Sequence, residues 1–417
     1  MSIDLGNYTR EGSPRLSLKE REVRWGKIRS AMREQGLDAL LVHGDSGKWD
    51  QKSSNMRYVG HIGGNGEDGY LLFPLEGEPT AFVFSGGAML NMWQELQNWV
   101  QDIRNAPGNR WSHFIDIAIR EKELTHANIG VVGLNGYQES EGTVSFITLT
   151  NLKNKLPNVE FSDATLLVEN LRLYKSEEEI SFVEEATKIG DHAIQVMREA
   201  CQPGINEYQA YAETMGALIA AGSEQPVTFF WDAGKSVNHG QRFAGRKKLE
   251  AGDVIVNEIS PRYFGYWAHF QAPVAVGKAP KKYQQLMDIA LESYGNAFST
   301  LRPGLHLRDV AEAFEKPIVK AGATSMHVYA HGTGGRGSEF PVIFPPSRRI
   351  GMNDAALAAF ERVMNIEVKE GMILAFEPHV TFDRVHGLHV GDPVVVTAHG
   401  CRRLSTINLS NWVSPSH

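Results

Sequence analysis

The chain has 417 residues, with 42 Lys and Arg against 49 Asp and Glu, and therefore a formal net charge of −7. That length suggests two or three domains, and an acidic balance without a long basic run speaks against nucleic acid or a membrane surface as the main partner. Two cysteines (Cys201 and Cys401) cannot build a disulfide framework, no apolar run reaches the roughly 18 residues of a membrane span, and the opening MSIDLGNYTREGSPRLS lacks a signal peptide's apolar core, so a soluble cytoplasmic protein is expected.

In chain order, residues 1–17 read as an arm, and residues 18–36 as a helix with Val23, Ile28 and Met32 apolar among charges and Gly36 as its stop. LDALLVHG (37–44) is a buried-type strand, and residues 50–64 are a polar, glycine-rich loop. GYLLFPLEGEPTAFVF predicts a hairpin turning at 76–79, NMWQELQNWVQDI a helix, and NIGVVGL (128–134) another strand. This alternation indicates an α/β domain over residues 1–171. At RLYKSEEEISFVEEATKIGDHAIQVMREA, a capping box of Ser176 with Glu179 opens a helix striped by Ile180, Val183, Ile189, Ala193, Val196 and Met197. Further helices are predicted over 207–222, 281–301 and 308–322, and strands near 372–382 and 388–397. Residues 172–417 thus read as an α+β domain with a hint of internal duplication.

The stretch GDVIVNEISPRYFGYWAHFQAPVAVG (252–277) reads as a hairpin turning at 261–265. Period-two alternation puts Glu258 on the face of Val254 and Val256, pointing into a covered interior, where a carboxylate is costly unless paired. His269 lies where the returning strand can bring it opposite; an ordinary amphipathic hairpin with an acid near its end is the plainer alternative. Four other places hold ionisable residues among turn signals. His239 sits in WDAGKSVNHGQRFAG, a candidate acid, base or hydrogen-bond donor. His331 sits in MHVYAHGTGGRG, where glycines permit close approach to a ligand or metal. Glu377 ends a strand in GMILAFEPH, and His389 and Asp392 lie in GLHVGDPVVVT. Loop or strand-end residues facing solvent are the alternative for each. Acids and histidines contributed singly by separate strands are one way to build a metal or acid–base site.

Taken in order, R-x-x-KS-x-x-E-I (172–180), His239 ahead of Gly252 and Asp253, the Gly265–Tyr266 hairpin, H-G-x-G (331–334) and GM-x-x-x-x-EP (371–378) resemble the M24 or "pita-bread" superfamily. That group includes methionine aminopeptidase, aminopeptidase P, prolidase, creatinase, ectoine hydrolase and a dimethylsulfoniopropionate lyase. The resemblance covers 172–417, and the preceding domain, with GLDALLVHG, is similar to the N-terminal domain of the prolidase and creatinase branch. It implies a pita-bread catalytic domain, a small-molecule substrate and a homodimer. In such a dimer Trp93, Trp99 or Trp111 would be either cross-subunit contacts or simply core residues.

Metallopeptidases of this family hold two divalent ions with two aspartates, a histidine and two glutamates. Here the first aspartate position carries Glu258 and the second, bridging one carries His269. His331 and Glu377 match, the final glutamate falls at Gly391, and Ser338 stands where a second histidine is usual. An imidazole has one free lone pair and cannot bridge two ions. The resemblance therefore implies no dinuclear centre. It leaves one site of Glu258, His269, His331 and Glu377 for zinc, iron or manganese, or no metal, as in creatinase, where His239 and Glu377 match functional positions. The expected activity is non-peptidase hydrolysis of a C–N bond in a small polar nitrogen-containing metabolite. His239 would shuttle protons, Glu258 and Glu377 would hold a cationic group or activate water, and His331 and His269 would stabilise negative charge. Trp231, Tyr266 and Trp267 would wall the substrate, Arg336 would grip a carboxylate, and His379 would complete the binding set. A lyase, an Xaa-Pro peptidase and an inactive binding module are the alternatives.

Overall fold

The computed structural model describes residues 15–64, 66–84, 87–225, 227–240 and 242–415, so of the arm read over 1–17 only 15–17 fall within it. The chain divides after Arg172 into two compact units. In the first, strands β1 (Ala39–Gly44), β2 (Gly69–Pro74), β3 (Thr80–Val83), β4 (Asp102–Asn105), β5 (Asn128–Val132) and β6 (Glu160–Asp163) form one sheet in the order β4-β3-β2-β1-β5-β6. Strands β1 and β2 are buried throughout, as unbroken apolar runs become when both faces of a sheet are covered. Helix Leu18–Glu34 starts where the Ser17 side chain accepts a hydrogen bond from the Glu20 amide. The helix expected over NMWQELQNWVQDI is corrected. Helix Gly87–Leu96 stops short, and Asp102–Asn105 instead pairs in parallel with β3, Thr80 opposite Asp102, a non-local ladder that overrides the local apolar pattern. Trp93, Trp99 and Trp111 are all buried within this unit, and the Trp93 indole donates to Glu67 at 2.6 Å.

In the second unit, helix Glu177–Ala200 opens with both reciprocal bonds of the Ser176/Glu179 capping box and packs on helix Glu207–Ala220. A second pair, Lys281–Thr300 and Leu307–Lys320, packs in the same way. The first pair precedes β7 (Thr228–Gly234), β8 (Val254–Ser260), β9 (Arg262–Tyr263), β10 (Tyr266–Trp267) and β11 (Val274–Ala275). The stretch expected as one hairpin is more elaborate. Strand β8 lies between β7 and β11, while β9 and β10 make a small hairpin of their own. Phe264 and Gly265 turn it at φ 43° and 83°, the left-handed pair of a two-residue turn.

The second helix pair precedes β12 (Ala330–Gly332), β13 (Glu339–Ile343), β14 (Ile373–Phe376), β15 (His379–Thr381), β16 (Gly387–His389), β17 (Pro393–Thr397) and β18 (Gly400–Arg403). Five of these form a sheet in the order β13-β12-β14-β17-β18, and β15 pairs with β16. Val254 and Val256 of β8 share a core with Tyr283, Phe314, Phe376 and Val394. Among the described residues, no helix is long and apolar enough to cross a membrane.

Candidate metal centre

Several separate elements of the second unit deliver ionisable side chains to one place. Glu258 lies on β8, buried beside Val256, as alternation predicts. His269 and Gln271 lie on the segment after β10, which bridges to β8 (Ile259 with Phe270) and to the approach to β17 (Gln271 with Gly391). His331 lies on β12 opposite Ala375, and Glu377 follows β14 directly. The donor atoms fall into two sets, each gathered within 4.8 Å: His269, His331 and Glu377 in one, and His239, Glu258, His327 and His389 in the other. The single site expected from Glu258, His269, His331 and Glu377 is thereby corrected, because Glu258 groups with three histidines instead.

In the first set every outward-facing atom is engaged. His269 Nδ1 pairs with Ser260 Oγ at 2.6 Å, and His331 Nδ1 donates to the Gly332 carbonyl at 2.8 Å. Gln271 donates to Glu377 Oε2 at 2.5 Å. The inward-facing atoms are left over. His331 Nε2 lies 3.3 Å from Glu377 Oε1, and His269 Nε2 lies 3.6 Å from Oε2. Neither His269 Nε2 nor Glu377 Oε1 has a hydrogen-bond partner among the described residues. Outer nitrogens tied down and inner ones free is the arrangement of metal-ligating histidines, so these residues fit a divalent ion. Two histidines and a carboxylate suit zinc or ferrous iron with coordination positions left open.

Burial drives the His331 imidazole below its usual value despite the pull of Glu377. The same burial would raise Glu377, but His331 and His327, with help from His269, outweigh it and hold the carboxyl well below the ordinary range. His327 behaves oppositely: burial would lower it, yet the Glu377 carboxylate prevails and raises it. In the second set, His239 Nε2 faces Glu258 Oε1 at 3.2 Å without forming a hydrogen bond, and ring centroids of His239 stand 4.2 Å from His327 and 4.9 Å from His389. Burial keeps His389 neutral, well below its usual value.

The expected substrate residues fare differently. Trp231 is corrected by strand register: β7 pairs with β8 so that Phe230, not Trp231, stands opposite Glu258 and shares its face. Trp231 turns the other way, into a core with Phe229, Ile255 and Ile259. Tyr266 donates to Glu179 at 3.0 Å, and the face of Trp267 is already covered by the Arg262 guanidinium at 5.6 Å, so neither is an open wall for a cation. Arg336 is buried, its amide bonded to Glu339, and its guanidinium is not presented to solvent. His379 has both ring nitrogens in use, with Asn238 at 2.6 Å and the Met326 amide at 3.2 Å. Burial pushes it down to about 3, so it stays neutral and backs the site structurally. Sequence reasoning missed His327, Gln271 and Phe230. His327 gave little local signal, because it lies in a bend ahead of the strand that carries His331.

Gly391, where a final glutamate would stand, is closed to any side chain. A Cβ there would lie 1.6 Å from the Phe376 carbonyl oxygen, and its backbone exchanges two hydrogen bonds with Gln271. Gly391→Ala is expected to destabilise the chain by about 2 kcal/mol or more, read from the urea midpoint. Equal midpoints would mean the contact is looser than described.

Residues 181–398 match the profile of Metallopeptidase family M24, and residues 24–174 that of the Creatinase/Prolidase N-terminal domain. An Xaa-Pro dipeptidase of Pyrococcus furiosus is 27% identical over 271 residues, 64% of this chain and 72% of the relative. An uncharacterised peptidase of Bacillus subtilis is 25% identical over 395 residues, 91% of this chain and 96% of the relative. Among solved structures, the prolidase from Pyrococcus horikoshii OT3 superposes with TM-score 0.73 at 20% identity, covering 93% of this chain and 99% of that one. The X-Pro aminopeptidase from Thermotoga maritima superposes with TM-score 0.75 at 19% identity, covering 94% and 99%. These superpositions speak to fold alone, a creatinase-type N-terminal domain followed by a pita-bread catalytic domain, as the motifs lead one to expect. Because the profile match spans more than half of its residues, the chain belongs to metallopeptidase family M24.

Proposed function

We propose that this chain is a divalent-metal hydrolase that opens an amide C–N bond in a short peptide-type substrate, with His269, His331 and Glu377 as the ligands. One observation carries the reading. The His331 Nδ1 hydrogen is committed to the Gly332 carbonyl, so in the neutral ring Nε2 bears a lone pair, and it faces the unpartnered Oε1 of Glu377 at 3.3 Å. Two acceptors facing each other in a fully buried place call for a cation between them. A divalent ion there supplies a Lewis acid for the scissile carbonyl and acidifies water.

The chain's own residues position and exclude. Ser260, the Gly332 carbonyl and Gln271 fix the orientation of the three ligands, and burial of His269, His331 and Glu377 keeps bulk water out. Phe230 offers an apolar surface on the Glu258 face. The peptide-type substrate is supported by the names of the relatives, among them the Pyrococcus dipeptidase. The nitrogen-containing metabolite placed first by the sequence becomes the second reading. It is favoured by His269 and Gly391, which remove two carboxylates from the family's ligand positions.

The test is turnover by the full chain, loaded in turn with zinc, iron or manganese, on a panel of Xaa-Pro dipeptides beside small amides and guanidino compounds. Faster release of proline than of any small-molecule product is expected. The reverse order favours the second reading, and no turnover on either class overturns the hydrolase.

A further inference from the structure

The geometry points to a second, imidazole-rich cation site built from His239, Glu258, His327 and His389, separate from the His269–His331–Glu377 set. Each ligand comes from a different place in the chain: the loop before β8, β8 itself, the approach to β12, and β16. Four ligand atoms from these residues lie within 4.8 Å of one another. Clustering alone would mean little. The second observation is what the atoms lack: His389 is completely buried, yet neither of its ring nitrogens has a hydrogen-bond partner among the described residues. Glu258 Oε1 and His239 Nε2, which face each other, are likewise without one. Buried polar groups in folded proteins are overwhelmingly satisfied, so three residues that each bring an unpartnered atom to this cluster, His389, Glu258 and His239, call for a common partner, with His327 as the fourth donor of the set. Three imidazole nitrogens and one carboxylate oxygen are the donors of a tetrahedral divalent ion.

This is not the carboxylate-bridged centre that the resemblance describes. Only Glu258 occupies one of its ligand positions; the three histidines lie outside them. Glu377 stands between the two sets, its Oε1 at 3.5 Å from His327 Nε2 and 3.3 Å from His331 Nε2. Two ions would therefore share a carboxylate wall while each kept its own imidazoles. Imidazole-rich donors favour late first-row ions, so this site selects zinc or cobalt over manganese and magnesium. The site is independent of the hydrolase reading, because it concerns metal binding and not turnover.

The experiment strips the full chain with a chelator and titrates it with Zn(II), and separately with Co(II), following bound metal by equilibrium dialysis and cobalt by its visible absorption. Wild type is expected to bind two zinc ions per chain and to keep both against excess Mn(II). His239→Ala, at a partly exposed and thus less disruptive position, and Glu258→Gln should each lose one ion, with affinity at that site falling about 100-fold or more. His331→Ala should lose the other ion and leave the cobalt spectrum of the second set in place. His389→Ala should match His239→Ala if far-ultraviolet circular dichroism shows it folded. A single ion in wild type, one ion lost to both His239→Ala and His331→Ala, or no binding at all would each overturn the proposal. Both ions retained in His239→Ala and Glu258→Gln would overturn it as well, whereas a wild-type chain that binds two ions but turns over no substrate would count against the hydrolase alone.

Discussion

Glu377→Gln is expected to lower kcat/KM by about 10³-fold while leaving a folded chain. Glu377 is wholly buried, and its two oxygens have distinct duties: Oε2 accepts from Gln271 at 2.5 Å, and Oε1 faces His331 and His327. A carboxamide keeps the shape but removes the negative charge. It also puts an NH₂ either against the Gln271 donor or against the space where an ion belongs. Affinity for the ion falls, and with it the charge stabilisation that the ion brings to the reaction. Folding should survive, because burying a neutral amide costs less than burying the carboxylate. Gln271→Ala, which only frees Oε2 to rotate, should cost about 10-fold. Steady-state kinetics beside metal content read both; a Glu377→Gln chain with near-wild-type turnover would remove this residue from the centre.

Stability of the metal-stripped chain should fall steeply on mild acidification. His43 is pushed down to about 4 and His61 and His379 to about 3, in each case chiefly by burial, while His331 and His389 are lowered by the same cause. Unfolded, each titrates near 6.5. The unfolded chain therefore binds more protons than the folded one below that value. The stabilisation is complete above about pH 6.5 and is lost as pH falls toward the folded values. At about pH 5, each of the three most depressed histidines costs about 2 kcal/mol. His327 works in the other direction, since it is raised, and its contribution is present at low pH and lost as pH rises. One such group against five leaves a large net loss. His43 and His61 belong to the first unit and His379 and His389 to the second, so neither unit escapes. Urea midpoints at about pH 7.5 and 5 measure it, and equal values would contradict the neutral, buried state of these rings.

What could be read locally from the sequence was what depends on near neighbours. Ser176 and Glu179 are three residues apart, and their capping box is intact. Glu258 shares parity with Val254 and Val256, and it is buried as that parity requires. The ordered motifs also carried the family and the fold. What escaped depends on register between distant strands. Nothing local tells that β7 slides against β8 so that Phe230 rather than Trp231 meets Glu258. The division of four expected ligands between two sets escaped for the same reason, since His389 reaches Glu258 only through the pairing of β15 with β16 and the packing of that ladder. Asp102–Asn105 became a strand by pairing along the edge of β3, a partner that nothing in its own four residues announces.

Metal dependence at His269, His331 and Glu377 is tested most directly by stripping the full chain with a chelator and following turnover of its best Xaa-Pro dipeptide as Zn(II) is returned. Turnover should vanish on stripping, return with zinc in wild type, and fail to return in His331→Ala. Turnover that persists through chelation, or that zinc restores equally in His331→Ala, would contradict a metal centre at these three residues.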